Sequence, residues 1–352
     1  MSILERASSV IDPLVAPVVT PIKGLAFAAA LNLPAAVQRR IVGKPVTYDG
    51  QTLAVDTQTM LALMKVSGEP DPSTLPIPKG RVALLRQSQL GGGRQEIGSV
   101  RELWVAGLKA RLYNPEGVSG NAPLLVFLHG GGFIFGDLDS HDAPCRLLAS
   151  ESGVKVLSID YRLAPESPFP AAYDDSVAAF RWAVEHAAEL GADPARIGVG
   201  GDSAGGNLAA GVALAVGEAC AFQLLIYPVT QSEAATRSRE DLSEGFYLTS
   251  DFIAAATDNY LPEGIDRRDP RHAPLHAEIP TSGVAPAYVA TAGFDPLRDE
   301  GEAYAAKLEE AGVKVAHKRF ADQIHGFLNV VGAGRTSRAA VLEIAQVLRD
   351  NL

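Results

Sequence analysis

The stretch VGGDSAGGN, residues 199–207, decides how the rest of this 352-residue chain is interpreted. Apolar Ile197 and Val199 precede the turn, and a run rich in alanine and leucine follows it, which predicts a buried strand, a sharp turn and a helix. A side chain two positions before or after Ser203 would collide with the adjoining strand or helix, and glycine at both places avoids this. The pattern G-x-S-x-G in this context therefore predicts an exposed serine hydroxyl.

Two other interpretations of this stretch are open. One is a glycine-rich connection of a parallel sheet without any chemistry. The other is dinucleotide binding, because Gly198, Gly200 and Ser203 approximate G-x-G-x-x-G. Dinucleotide binding requires an acidic residue near the end of the next strand, and the nearby acid, Glu218, comes before that strand.

The composition is that of a soluble globular protein, with 47% apolar and 20% charged residues. The length allows about two domains, or one large α/β domain with an appendage. The formal net charge of −10 disfavours nucleic acid and anionic membrane surfaces as partners, so we expect neither. The oligomeric state is open, with a homodimer among the alternatives.

The compartment is expected to be the cytoplasm. Cys145 and Cys220 fall in segments that we interpret as a helix and a helix-to-strand connection, which favours buried reduced thiols over a disulfide. The N-terminus has no recognisable signal peptide. The apolar stretch Gly24–Val37 is interrupted by Asn32 and Pro34 and is too short to span a bilayer, so no stable membrane insertion is expected.

From Glu96 onward, short β-rich runs alternate with helical segments, which predicts an eight-stranded, mostly parallel sheet flanked by helices. The core is expected in residues 91–230 and 281–352. The apolar helical segments in residues 1–90 and an insertion over residues 231–280 are expected to form a helical cap. The run Gly91–Gly93 is interpreted as a flexible loop. The expected strands are Ile97–Val105, Leu108–Tyr113, Leu124–Leu128, Val154–Ile159, Ile197–Val199, Phe222–Tyr227, Ala287–Ala292 and Val313–Phe320.

A serine hydroxyl is a weak nucleophile and needs a base, for which histidine is best suited. If serine, acid and histidine follow one another along the chain, His317 and His325 are the candidates. His317 lies inside the last predicted strand, whereas His325 lies beyond it, where a loop can reach the carboxyl edge of the sheet. We therefore predict His325 as the base.

The acid that orients the imidazole is predicted to be Asp295, which directly follows the strand Ala287–Ala292. Pro296 keeps Asp295 out of helical geometry and directs it away from the strand. The alternatives are Asp299, which is expected to cap the helix beginning near Glu300, and Asp322, which is expected to face water.

Backbone N–H groups for an oxyanion are predicted after the strand Leu124–Leu128, where His129 is followed by the glycines 130–132. The N–H of Ala204, at the start of the helix after the serine, completes this set. No metal or organic cofactor is expected, and His272 and His276 do not share a helix face because Pro274 separates them.

The chain contains the motifs HGGGF (129–133), YRLAPE (161–166), GDSAGG (201–206), DPLRD (295–299) and HGF (325–327). In these motifs it closely resembles the hormone-sensitive-lipase-like family of α/β-hydrolase carboxylesterases. The resemblance covers about residues 50–352. It implies an α/β-hydrolase fold with a helical cap, a triad of Ser203, Asp295 and His325, and oxyanion donors from Gly131, Gly132 and Ala204. His129 and Gly130 would support that loop.

The resemblance implies a serine carboxylesterase that hydrolyses small-molecule esters with short to medium acyl chains through an acyl-enzyme. It also implies that the segment Tyr161–Glu166 braces the loops of the site. Two alternatives remain: the same machinery acting on an amide, lactone or carbonate, and a small-molecule receptor without catalysis on the same fold.

Overall fold

Apolar runs at the predicted places form the central sheet of this computed structural model, which describes residues 27–68 and 70–352. Eight strands of that part form one sheet in the order β10-β9-β8-β7-β5-β6-β4-β3, and the short pair β1 and β2 forms a separate two-stranded sheet. The strands are β1 (Thr47–Tyr48), β2 (Gln51–Thr52), β3 (Ser99–Val105), β4 (Leu108–Asn114), β5 (Ala122–Leu128), β6 (Lys155–Ile159), β7 (Ala192–Asp202), β8 (Gln223–Ile226), β9 (Ala287–Phe294) and β10 (Val315–Ile324).

The sheet is mostly parallel, as predicted. Strand β3 pairs antiparallel with β4, and β4 pairs antiparallel with β6, whereas the pairs from β6 to β10 are parallel. The carboxyl ends of the parallel strands therefore lie at one edge, where ligands bind in open α/β sheets.

Helices cover both faces of the sheet. Along β5, Leu124, Val126 and Leu128 pack into one apolar cluster, and Leu125 and Phe127 pack into the other. This alternation buries the strand on both sides, as expected for the centre of a parallel sheet. The helices are α1 (Ala35–Val42), α2 (Val55–Ser67), α3 (Ile77–Gly92), α4 (Asp142–Ser152), α5 (Ala171–Glu185), α6 (Ala187–Leu190), α7 (Ala204–Val216), α8 (Arg237–Asp241), α9 (Ser250–Tyr260), α10 (Arg298–Glu310) and α11 (Arg335–Asn351).

The strands differ from the predicted ones at their ends. Strand β7 runs to Asp202, well past the predicted end at Val199, because it pairs with β5 on one side and β8 on the other. Strand β10 continues to Ile324 after an irregularity in its pairing with β9. Asp322 therefore lies within a strand and is partly exposed, so the expectation that it lies in a loop is wrong.

The interpretation of Gly91–Gly93 as a flexible loop is also wrong. Helix α3 includes Gly91 and Gly92, and only Gly93 follows its end. A Cβ atom at Gly91 would lie 2.9 Å from the carbonyl oxygen of Asn329, and one at Gly92 would lie 2.6 Å from the Cβ of Ala143. Glycine thus lets the helix end pack directly against its neighbours, a tertiary reason that local propensity does not reveal.

The long connection between β8 and β9 contains α8, α9 and a 3₁₀ turn at Pro274–His276. Helix α9 contacts the 3₁₀ turn Pro72–Thr74 from the N-terminal part of the chain. The part of the N-terminal segment before residue 27, including the signal-peptide expectation and the start of the apolar stretch 24–37, lies outside the described residues. Within them, no helix is long and apolar enough to cross a membrane.

Candidate active site

Ser203 occupies a sharp turn between β7 and α7. Its backbone has φ 56° and ψ −117°, a conformation that is rare for a residue with a side chain. The turn is held by a hydrogen bond from the Ser203 N–H to the carbonyl oxygen of Ile226, 2.9 Å. A Cβ atom at Gly205 would overlap the carbonyl group of Leu128, and one at Gly201 would overlap the backbone of Gly205. The two glycines are therefore sterically required, as the motif predicted.

A continuous hydrogen-bond chain joins Ser203, His325 and Asp295. The Oγ of Ser203 lies 2.9 Å from Nε2 of His325, and Nδ1 of His325 lies 2.8 Å from Oδ2 of Asp295. A carboxylate next to Nδ1 holds the proton on that nitrogen, which leaves the lone pair of Nε2 for the serine hydroxyl. The structure thus brings together the three side chains that the sequence singled out.

These side chains come from the carboxyl ends of three parallel strands. Ser203 follows β7, Asp295 follows β9 and His325 follows β10. Asp295 is fully buried, and its second oxygen, Oδ1, accepts the N–H of Leu297 at 2.8 Å. Because both carboxylate oxygens are engaged, the orientation of the imidazole is fixed.

The alternative acids and base lie elsewhere. His317 is inside β10, with Nε2 3.1 Å from the hydroxyl of Thr291. Asp299 does not cap α10, whose first residue is Arg298; it lies in the first turn and accepts the N–H of Ser238 at 2.8 Å. The expectation that Asp299 caps a helix beginning near Glu300 is therefore wrong.

The loop after β5 passes over the serine. Gly131 and Gly132 have φ values of 124° and 63°, in the region that glycine tolerates best. A Cβ atom at Gly132 would lie 2.9 Å from the ring of Phe252, so α9 packs directly on this loop. Among residues 27–68 and 70–352 we find no acceptor for the N–H groups of Gly131, Gly132 and Ala204.

His129 and Gly130 lie at the base of that loop. His129 is fully buried and stacks on Tyr161, with ring centroids 4.3 Å apart, and the Tyr161 hydroxyl donates to the His129 carbonyl at 2.6 Å. Burial, and the neighbouring ring of His141, lower the pKa of His129 to about 4. The N–H of Gly130 donates to Oδ1 of Asp202 at 2.8 Å.

The segment 161–166 also contacts the loop further along. The N–H of Ala164 donates to the carbonyl of Phe133 at 2.9 Å, and Arg81 donates to the carbonyls of Ile134 and Ala164. These contacts tie the two loops together. They agree with the bracing function that the resemblance implies for Tyr161–Glu166.

Sequence reasoning missed the environment of Asp202 and His141. Both residues are 2% exposed and lie beneath the glycine loop, with Nε2 of His141 3.2 Å from Oδ1 of Asp202. Asp202 occupies a variable position of G-x-S-x-G, and His141 belongs to no motif considered above. A polar residue inside a short buried motif is the signal that could have identified Asp202.

Three cavities adjoin the site, two lined by Ser203 and the third by His325. One of about 50 Å³ is lined by Ser203 and by α9, including Ile253 and Tyr260. A second of about 360 Å³ is lined by Ser203, His325 and the glycine loop. A third of about 450 Å³ extends from His325 towards Met60, Leu63 and Met64 of α2.

The described residues contain no group of three or more His, Cys, Asp or Glu side chains arranged to hold a metal ion. The ring of His272 is engaged at both nitrogens. Its Nδ1 lies 2.9 Å from the hydroxyl of Ser232, and its Nε2 lies 2.9 Å from the carbonyl of Asp266.

Comparison with known proteins places this arrangement in a family. A family model described as "alpha/beta hydrolase fold" matches residues 125–329. The chain is 44% identical over 325 residues to the carboxylic ester hydrolase LipN of Mycobacterium tuberculosis, covering 88% of this chain and 86% of the relative. It is 38% identical over 254 residues to the ethyl acetate hydrolase of Pseudomonas putida, covering 70% of this chain and 79% of the relative.

Solved structures agree with these relatives. An ester hydrolase from the metagenome of Lake Arreo is 42% identical with a TM-score of 0.81, covering 85% of this chain and 98% of that one. The hyperthermophilic esterase of Pyrobaculum calidifontis is 35% identical with a TM-score of 0.80, again covering 85% of this chain and 98% of that one. The chain therefore belongs to the hormone-sensitive-lipase-like carboxylesterases of the α/β-hydrolase fold.

Proposed function

We propose that this protein hydrolyses esters of short-chain carboxylic acids through an acyl intermediate on Ser203. The observation that carries the proposal is the unbroken hydrogen-bond chain from Asp295 through His325 to the Ser203 hydroxyl. His325 takes the hydroxyl proton as Ser203 Oγ attacks the ester carbonyl, and Asp295 stabilises the resulting imidazolium.

The N–H groups of Gly131, Gly132 and Ala204 donate to the oxyanion of the tetrahedral intermediate. Such donors act most strongly when their position is fixed before the reaction begins. His325 then protonates the leaving alkoxide, and the acyl group remains on Ser203. A water molecule, deprotonated by His325, attacks this acyl-enzyme in the second half of the reaction. The bond between the acyl carbon and Ser203 Oγ then breaks, His325 returns the proton to Oγ, and the acid is released.

The cavities support an assignment of the two halves of the ester. The leaving oxygen must lie within hydrogen-bond reach of His325, so the alcohol group lies in the cavities of about 360 and 450 Å³ that His325 lines. The cavity of about 50 Å³ is lined by Ser203 but not by His325, and it receives the acyl group. A short acyl chain with a larger, apolar alcohol fits these volumes.

The cap is part of this proposal. Residues up to about 90 line the alcohol side through α2 and α3. Residues 231–280 line the acyl side through α9 and also contribute to the alcohol side, for example through Tyr247. The two segments together select the substrate, while the sheet and its loops supply the chemistry.

Hydrolysis of p-nitrophenyl acetate, butyrate and octanoate by the purified protein tests the proposal. We expect turnover that falls with acyl length, and loss of turnover in Ser203→Ala. Retained activity in that variant would refute the assignment of the nucleophile. Amide and lactone substrates measured in parallel distinguish the proposed reaction from acyl transfer of another class.

The assignment of the acyl cavity has its own test. Ile253→Ala removes a side chain from its wall and should shift the preference towards octanoate. Met64→Ala is the matched control, because Met64 lines only the two larger cavities, and it should leave the acyl preference unchanged. If Met64→Ala shifted the acyl preference and Ile253→Ala did not, the acyl and alcohol groups would have to be assigned to the opposite cavities.

A further inference from the structure

Two buried ionisable side chains lie beneath the glycine loop and have no part in the proposed reaction. Asp202 precedes the serine, and its Oδ1 accepts the Gly130 N–H at 2.8 Å and lies 3.2 Å from Nε2 of His141. Its other oxygen, Oδ2, lies 3.3 Å from the hydroxyl of Tyr227. The carboxylate thus connects the nucleophile turn, the glycine loop and the segment that carries His141.

The hydrogen bonds around His141 place a proton on each of its ring nitrogens. The hydroxyl of Ser140 donates its proton to the carbonyl of Asp137 at 2.9 Å and accepts the Asp137 N–H at 2.9 Å. Since that proton is already used, Nδ1 of His141, 3.0 Å from the Ser140 oxygen, is the donor in their contact. Nε2 donates to the Asp202 carboxylate on the opposite side of the ring.

Asn329 fits the same proton arrangement. Its amide lies 3.3 Å from Nε2 of His141, with the nitrogen assigned to that side, and its Oδ1 has no hydrogen-bond partner among the described residues. Turning the amide by 180° places the unsatisfied oxygen opposite the Nε2 proton. After this exchange the Nε2 proton is shared between the Asp202 carboxylate and the Asn329 oxygen, so a contact between two donors is removed and the buried oxygen gains a partner.

We propose that Asp202 and His141 form a buried, charge-neutral pair that positions the glycine loop without placing net negative charge next to the oxyanion. The proposal rests on the function proposed for Ser203. Asp202 holds the Gly130 N–H and therefore the two glycines that follow. An uncompensated carboxylate at this place would oppose the negative charge that develops in the transition state, and the His141 imidazolium cancels it.

The charges around the pair agree with this arrangement. Burial raises the pKa of the Asp202 carboxyl, but His141 and the Gly130 N–H outweigh this and lower the pKa below its ordinary value. His129, whose ring centroid lies 5.4 Å from that of His141, has a pKa lowered by burial and by the charge of His141. Of the two adjacent rings, His129 is therefore the neutral one.

The test is a double-mutant cycle with His141→Gln and Asp202→Asn, measured as kcat and KM for a short-chain ester. His141→Gln keeps a hydrogen-bond donor but removes the charge, and we expect kcat to fall about tenfold or more with KM little changed. Adding Asp202→Asn removes the uncompensated carboxylate, so the double variant should be more active than His141→Gln alone. His276→Gln is the matched control at an exposed position.

A double variant that is no more active than His141→Gln, or a His141→Gln enzyme with the wild-type kcat, would overturn the proposal. If the pair had only a structural function, the losses of kcat in the two single variants would add up in the double variant. Thermal unfolding of each variant shows whether a loss of kcat follows from unfolding.

A second measurement does not depend on ester turnover. In protein labelled with ¹⁵N-histidine at about pH 7.5, the His141 ring should show two protonated nitrogens, and the Asp202→Asn variant should lose one proton. Assignment follows from the resonances missing in His141→Gln. If one His141 nitrogen is unprotonated in the wild type, the proposed Asp202–His141 pair is overturned even when the protein hydrolyses esters. If the ring is doubly protonated but no ester is hydrolysed, only the proposed esterase function is overturned.

Discussion

Replacing His129 by asparagine should make the folded protein less sensitive to acid. His129 is fully buried, and its Nδ1 lies 2.9 Å from the Gly130 carbonyl, which it contacts as a donor. Its pKa is lowered from 6.5 to about 4 by burial and by His141. Between these values the unfolded chain binds a proton that the folded protein does not bind. The free energy of unfolding therefore falls as the pH drops from 6.5 towards 4.

The magnitude follows from the two pKa values. A shift from 6.5 to about 4 is about 2.5 units, and at about 1.4 kcal/mol per unit this limits the effect to about 3 kcal/mol. Most of that amount, about 2 kcal/mol, is lost between about pH 7 and about pH 4.5. His129→Asn removes the titrating ring, while an asparagine Nδ2 can still donate to the Gly130 carbonyl.

The assay is urea unfolding of the wild type and of His129→Asn at both pH values. The variant should be less stable near pH 7, because it loses the stacking on Tyr161. The difference between the two proteins should shrink by about 2 kcal/mol at the lower pH. Groups that titrate equally in both proteins cancel in this difference. If the free energies of unfolding of the two proteins changed in parallel with pH, the lowered pKa of His129 would be refuted.

Three further changes should have measurable effects. Gly205→Ala should abolish activity, because its Cβ atom would overlap the neighbouring strand, and soluble protein with wild-type turnover would contradict this. Glu300→Ala leaves Arg239 without its buried partner, and should lower the free energy of unfolding in urea by about 3–5 kcal/mol. Burial raises the pKa of both thiols, that of Cys220 to about 11, so a thiol reagent should modify Cys145 and Cys220 only after unfolding. Rapid modification of the native protein would contradict their burial.

The sequence predicted those parts of the molecule in which local pattern and tertiary structure agree. Continuous apolar runs such as Leu124–Leu128 can be buried on both faces only in a central strand, and short motifs marked the loops that follow such strands. Because the strands are parallel, motifs far apart in the chain were expected at one edge. His325 indeed lies within hydrogen-bond distance of both Ser203 and Asp295.

The errors concern residues whose conformation depends on distant neighbours. Gly91 and Gly92 are weak helix formers, but the close approach of residue 329 and Ala143 requires glycine within α3. Strand β10 is longer than predicted because its residues pair with β9 as far as Ile324. No local pattern indicates that His141 and Asp202 meet, since they are 61 positions apart in the sequence and only the folded chain brings them together.

The contact between α9 and the glycine loop limits how this protein can be redesigned. The ring of Phe133 stacks on Tyr260 with centroids 3.8 Å apart, and Gly132 leaves no room for a side chain beneath Phe252. Suppose that the segment containing α9 were replaced by that of a homologue, in order to broaden the range of acyl groups. The new segment would then contact the glycine loop, which stabilises the transition state. Specificity and turnover would then change together, so libraries aimed at new substrates should vary α9 and residues 131–133 as a single unit.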